Sequence, residues 1–101
     1  MATDLERGRR RIDEIDAELV GLLNRRTRLA LRLAEHKRVA GLGLRDRERE
    51  LEVLARAQER NGGPLAPEAV ERLFRAILSE SRRTQASAFE RSPASRRLPC
   101  A

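Results

Sequence analysis

Two cations of the first long segment occupy positions at which an amphipathic helix carries apolar side chains, and a third lies beside them. With residues placed at about 100° per step, Arg26 and Lys37 fall inside the apolar sector, and Lys37 follows Leu33 by four residues. Arg9 lies at the edge of the same sector. Because an unpaired charge turned inward costs several kcal/mol, these positions predict that the cations face a ligand or a partner group.

Two later segments also carry polar residues on their apolar faces. In the second, Glu50 lies on the apolar face and is flanked by Asp46 and Arg49. In the third, Ser81 and Gln85 continue the stripe formed by the apolar residues before them. Each helix therefore turns polar groups toward the space that the helices share.

The simplest explanation for any one of these residues is an internal ion pair, such as Arg26 or Lys37 with Glu50, and long cationic chains also reach solvent. For the whole set, the cations outnumber the carboxylates, so the shared space stays cationic. A cationic polar cavity in a helical protein indicates an anionic ligand. Several arginines favour carboxylates, whose two oxygens match the guanidinium fork.

Three helices, long, short and medium, are predicted to position these residues, and the fold class is all-α. The first runs from Asp4 to Val39, which contains no proline, and the second from about Leu44 to Arg60, where an Asn-Gly-Gly-Pro sequence ends it. The third begins near Pro67, which suits a first helical turn, and ends at about Phe89. We predict one domain over residues 1–90 and a disordered tail over 91–101.

The first helix is too long for a small monomer. Its 36 residues span about 54 Å, whereas a compact chain of this size has a diameter of roughly 33 Å. Apolar residues continue along the whole helix, so the apolar side chains of the projecting part must be buried by another surface. A second copy of the chain is the simplest cover, and the mixed three- and four-residue spacing favours a compact helical homodimer over a heptad coiled coil.

Composition excludes several other classes of protein. One cysteine and one histidine argue against a metal centre, and no cofactor-binding motif is present. No apolar run approaches the roughly 18 residues of a membrane span, and the charged start of the chain lacks a signal peptide, so we expect a cytoplasmic protein without a membrane partner. The net charge of +6 comes from arginines spread among acids, without stacking aromatics, so nucleic acid is not expected as a partner.

Taken together, the motifs resemble the AroQ-type, all-helical chorismate mutases. The first helix contains Ile-Asp-Glu-Ile-Asp at 12–16 and Leu-Leu-Asn-Arg-Arg at 22–26, followed by Lys37. Residues 46–50 match the family's Asp-x-x-Arg-Glu pattern, and Ser81 with Gln85 matches its Ser-x-x-x-Gln ending. The resemblance covers about residues 5–89; each motif is weak alone, but their order and spacing are specific.

The resemblance implies an intertwined homodimer with two active sites and an isomerase of the shikimate pathway. Its reaction is the [3,3] Claisen rearrangement of chorismate, a dicarboxylate, to prephenate, without metal or cofactor. The implied substrate-binding residues are Arg9 from the partner subunit, Arg26, Arg49 and Ser81 toward the carboxylates, and Glu50 with the backbone at Asp46 toward the ring hydroxyl. Lys37 and Gln85 are the implied catalytic donors to the ether oxygen.

Three alternatives stay open on this scaffold. Glu50 and Asp46 accept a hydrogen bond from an ammonium as readily as from a hydroxyl, so 4-amino-4-deoxychorismate is the principal alternative substrate. An isochorismate–pyruvate lyase is less favoured, because residues 46–50 follow the mutase pattern. A non-enzymatic helical binding module is disfavoured by the inward placement of Arg26 and Lys37, and a separate regulatory enzyme as a partner is left open.

Overall fold

Three α-helices make up the fold. The computed structural model describes residues 1–43 and 46–91, with α1 at Asp4–Val39, α2 at Arg47–Arg60 and α3 at Pro67–Arg91. No strand occurs in these two ranges. The predicted all-α class is confirmed, as are the bounds of α1. Helix α3 extends two residues beyond the predicted end and so includes Arg91, the first residue of the predicted tail. Residues 92–101 lie outside the described part of the chain.

Local capping explains where the first two helices begin. The Thr3 side chain accepts a hydrogen bond from the backbone N–H of Glu6, and the Glu6 carboxylate accepts one from the backbone N–H of Thr3. This reciprocal pair satisfies two of the amides that a helix start leaves without partners. Asp46 caps α2 by accepting from the backbone N–H of Arg49 at 3.0 Å. The cap at Asp46 therefore starts α2 at Arg47 rather than near Leu44.

The connection between α2 and α3 is a short turn in which the Asn61 side chain makes two hydrogen bonds. Asn61 accepts a hydrogen bond from the backbone N–H of Gly63 at 2.9 Å and donates one to the carbonyl of Leu65 at 2.8 Å. Gly63 has a φ of +79°, a region that favours glycine. Helix α3 is thereby directed back along α2.

Helix α3 is the central element, because it packs against both α1 and α2, while α1 and α2 do not contact each other within the described ranges. The buried side chains at these contacts are Ala34 of α1, Leu54 of α2, and Val70 and Leu78 of α3. Only the second half of α1 takes part, since every residue from 4 to 25 is exposed. Because the core is this small, a single chain leaves many of its large apolar side chains exposed.

The first half of α1 projects from the rest of the molecule. The chain extends over 67 × 30 × 16 Å and has a radius of gyration of 18.1 Å, against about 13 Å for a compact protein of 100 residues. Ile12, Leu19 and Leu22 on this projection are each at least half exposed. A continuous apolar stripe of this kind marks an interaction surface, and the predicted homodimer remains the explanation to test.

No helix in the described part of the chain combines the length and the apolar character needed to cross a lipid bilayer.

Candidate functional site

A cleft lies where the second half of α1, the start of α2 and the second half of α3 meet. Its volume is about 290 Å³, close to the lower end of the range for small-molecule sites. The apolar part of its wall comes mainly from α1 and α3. The charged and polar residues that line it are Arg26, Lys37, Asp46, Arg49, Glu50, Ser81, Arg82 and Gln85.

Helix α1 supplies two cations to one wall. Arg26, Ala30, Leu33 and Lys37 all line the cleft, and their spacing of four, three and four residues puts them on one helix face. Arg26 and Lys37 are half-buried, and no charged residue in the described ranges is fully buried. Positions that the sequence indicated as inward-facing are therefore the wall of an open cleft rather than part of the apolar core.

The start of α2 supplies both carboxylates. The Asp46 carboxylate is engaged by the backbone N–H of Arg49, and the Asp46 carbonyl accepts from the backbone N–H of Glu50 at 3.0 Å. The Glu50 side chain is only 18% exposed. The Arg49 side chain stands at the rim, where it is 53% exposed and pairs with Glu52 at 3.2 Å. Glu50 is thus the inner acidic group of the cleft and Arg49 an outer cation.

Helix α3 places Ser81 and Gln85 on successive turns. The Gln85 amide nitrogen lies 3.3 Å from the Ser81 hydroxyl oxygen and 3.4 Å from the Ala30 carbonyl of α1. Both distances exceed the usual range for N–H···O bonds, so these contacts are weak and easily exchanged for a ligand oxygen. Because the Ser81 oxygen accepts in this arrangement, its own proton is available to a ligand.

Arg82 is a lining residue that the sequence reasoning missed. Its guanidinium donates to the Glu50 carboxylate at 2.6 Å, joining α3 to α2 across the cleft. The signal in the sequence was its position four residues after the buried Leu78, at the edge of the apolar face. The pairing with Glu50 spans 32 residues and depends on how α2 packs on α3, which spacing alone does not specify.

Arg9 does not reach the cleft of its own chain. It is exposed on the projecting half of α1 and precedes Arg26 by 17 residues, which is about 26 Å along the helix. Seven of the eight predicted site residues therefore line one cleft, and the eighth requires another chain to meet them.

An ion pair near the end of α1 lies outside the cleft. Arg38 donates to the Glu35 carboxylate, and this hydrogen bond lowers the pKa of Glu35 and raises the pKa of Arg38. Neither residue lines the cleft. The pair stabilises the last turns of α1 without adding to the charge of the site.

The charge balance of the cleft favours an anion. In the described lining, four cations face two carboxylates, and one of those carboxylates is paired with Arg82. Guanidinium and ammonium groups at separate points of the wall suit a ligand with more than one carboxylate. The hydroxyl and amide of α3 add neutral donors on a third side.

Comparison with known proteins identifies the family. The sequence pattern of the chorismate mutase type II family matches residues 8–86. The chain is 49% identical over 73 residues to the bifunctional chorismate mutase/prephenate dehydratase of Neisseria gonorrhoeae, and 38% identical over 80 residues to that of Aquifex aeolicus. These stretches are 71% and 75% of this chain but 19% and 22% of the relatives, so the chain spans about a fifth of their length.

Solved structures show the same fold. The chain superposes on chorismate mutase from Thermus thermophilus in its form II with a TM-score of 0.81 at 28% identity, covering 83% of this chain and 96% of that one. Form I of the same protein gives a TM-score of 0.76 at 30% identity, covering 78% and 99%. The family pattern, the relatives and these structures agree with the resemblance drawn from the motifs, and the chain belongs to the chorismate mutase type II family.

Proposed function

We propose that the protein is a chorismate mutase, an isomerase that converts chorismate to prephenate. The observation that carries the proposal is the meeting of Arg26, Lys37, Glu50, Ser81 and Gln85 in one cleft. Chorismate offers what these groups recognise: two carboxylates, an ether oxygen and a ring hydroxyl. The product is a precursor in aromatic amino acid biosynthesis.

The proposed clamp on the carboxylates selects the reactive shape of the substrate. The guanidinium of Arg26 binds one carboxylate, the Ser81 hydroxyl donates to a carboxylate, and Arg49 closes over that side from the rim. In the rearrangement one C–O bond breaks while one C–C bond forms, and no proton moves. Fixing both ends of the molecule in a chair-like conformer therefore removes much of the entropic barrier.

Lys37 and Gln85 are the proposed donors to the ether oxygen. Negative charge develops on this oxygen as the C–O bond lengthens, so fixed donors bind the transition state more strongly than the ground state. The ammonium of Lys37 supplies a full charge and the Gln85 amide a neutral donor. The contacts of the Gln85 amide to Ala30 and Ser81 are long and weak. Little binding free energy is therefore lost when the amide donates to a ligand oxygen instead.

Glu50 is the proposed acceptor for the ring hydroxyl, together with the backbone at Asp46. Its low exposure keeps the carboxylate in place inside the cleft. A hydroxyl bound on this side fixes the ring while the side chain of the substrate folds over it.

The working unit proposed here is a homodimer in the cytoplasm. A groove continues from the cleft past Arg26 and Arg49, and its apolar lining includes Val53, Val70 and Phe74. The exposed stripe on the first half of α1 is a suitable cover for such a groove. A partner helix seated there carries its Arg9 toward the site, which completes the clamp. We assign this activity to a domain of residues 1–90.

The direct test is turnover of chorismate by the purified chain. Chorismate loss and prephenate formation are followed by NMR, with chorismate in buffer alone as the reference for the spontaneous reaction. We expect saturable conversion to prephenate as the single product. Release of pyruvate from isochorismate, offered in a separate reaction, would indicate the lyase. A rate with chorismate equal to that in buffer would refute the proposal.

A further inference from the structure

We propose that Arg82 makes the site selective for a substrate that carries a neutral hydroxyl, rather than an ammonium, on the ring carbon that faces Glu50. The inference rests on the proposed function and deepens it by choosing between the two substrates that the sequence leaves open. Arg82 acts through Glu50 and is therefore a positioning residue.

The ion pair between Arg82 and Glu50 lies within the proposed binding site. Arg82 follows Ser81 directly and precedes Gln85 by three residues, so it stands among the groups proposed to bind the ligand. Its guanidinium donates to the Glu50 carboxylate at 2.6 Å, a short charge-assisted bond. The side chains are 32% and 18% exposed, so solvent screens this pair less than it screens the surface pairs.

The ion pair changes the net charge that a ligand meets at Glu50. A carboxylate alone attracts an ammonium far more than a hydroxyl, because the full charges attract. With a guanidinium fixed at 2.6 Å, the pair is close to neutral, while the carboxylate oxygens keep their ability to accept a hydrogen bond. Lys37 lines the same cleft and adds a further cation. The guanidinium therefore offsets the attraction of Glu50 for an incoming ammonium, and Lys37 adds a like charge to the cleft.

The two substrates differ in the charge of the group that faces Glu50. The Arg82 guanidinium offsets the attraction of Glu50 for an ammonium. A hydroxyl is neutral and meets no such penalty. The cleft therefore discriminates by charge at this point, rather than by size.

The test compares chorismate with its 4-amino analogue, in which an ammonium replaces the hydroxyl. We expect the wild type to prefer chorismate. Arg82→Met keeps an apolar stem but removes the charge, and we expect the ratio of kcat/KM for chorismate to that for the amino analogue to fall by about tenfold or more. The ammonium has the same charge in the ground and transition states, so the change is expected mainly in KM.

Two further variants separate charge from structure. Arg82→Lys keeps the cation and is expected to keep the preference for chorismate. Arg83→Met is the matched control on the next residue, since Arg83 is exposed and pairs with Glu80 at the surface at 3.3 Å; it is expected to change turnover of neither substrate. Circular dichroism verifies that each variant is helical.

The possible results separate failure of the proposal for Arg82 from failure of the proposed function. An equal loss for both substrates in Arg82→Met would show a structural role and overturn the inference. A wild type that uses the amino analogue as well as chorismate would overturn it too, even if every Arg82 variant failed to fold. In both cases the proposed function stands, because chorismate is converted. A wild type that converts neither substrate would overturn the proposed function, and this inference with it.

Discussion

Arg9 and Lys37 are expected to serve the same site from different chains. They are 28 residues apart on α1, which continues without interruption from Asp4 to Val39, so about 42 Å of helix separates them. One small ligand cannot touch both on one chain. Arg9→Ala and Lys37→Ala homodimers are therefore each expected to lose activity by about 10²-fold or more.

Mixing the two variants restores a defined share of the sites. When equal amounts are unfolded and refolded together, half of the dimers are mixed. Each mixed dimer has one site with both residues intact and one site with neither. The expected activity is about one quarter of wild type, far above either parent.

The assay is the initial rate of chorismate conversion after refolding, with native mass spectrometry to count the mixed dimers. Each variant refolded alone is the control. If mixed dimers form in the expected proportion but activity stays at the level of the parents, Arg9 does not act across the interface, and the proposed completion of the cleft by a partner helix is wrong.

Three further predictions concern Lys37, Gln85 and the C-terminal tail. Lys37→Ala is expected to lower kcat by about 10²–10³-fold with little change in thermal stability, because Lys37 is only half-buried; rates and melting curves are compared with those of Arg32→Ala, an exposed position on the same helix. The wild-type rate is expected to be nearly flat between about pH 6 and 8, because the Gln85 amide does not titrate, whereas Gln85→Glu must be protonated to donate and is expected to lose activity as pH rises. Truncation after Arg91 is expected to leave both turnover and the dimeric state unchanged.

A specific result would contradict each of these three predictions. Near-native turnover by Lys37→Ala would remove Lys37 from the proposed mechanism. A wild-type rate that collapses near neutral pH would count against Gln85 as a donor. Loss of dimer and activity together on truncation would show that the tail packs on the folded domain.

The helices were predictable because their signals are local. Proline-free stretches and the Asn-Gly-Gly-Pro turn set the bounds closely, and the start of α2 differed because the Asp46 side chain acts as a cap. The polar residues on apolar faces were also readable from periodicity, and seven of them meet in the cleft.

The Glu50 partner was not predictable in the same way. Sequence reasoning considered Arg26 or Lys37 for this role, whereas the structure pairs Glu50 with Arg82. The choice depends on how α3 packs against α2, which spacing within one helix does not specify. Arg49 shows the same limit: its position suggested an inward cation, but its side chain turns to Glu52 at the rim.

We propose that the cleft is complementary to a compact, doubly charged transition state in which negative charge develops on an ether oxygen. This complementarity is tested most directly by the affinity of a bicyclic ether dicarboxylate that mimics the chair-like transition state, measured by calorimetry on the wild type and on Lys37→Ala. We predict one molecule bound per chain, at least about 10²-fold more tightly than chorismate, with most of that advantage lost in the variant. Binding no tighter than that of chorismate, or equal binding to both proteins, would contradict the account.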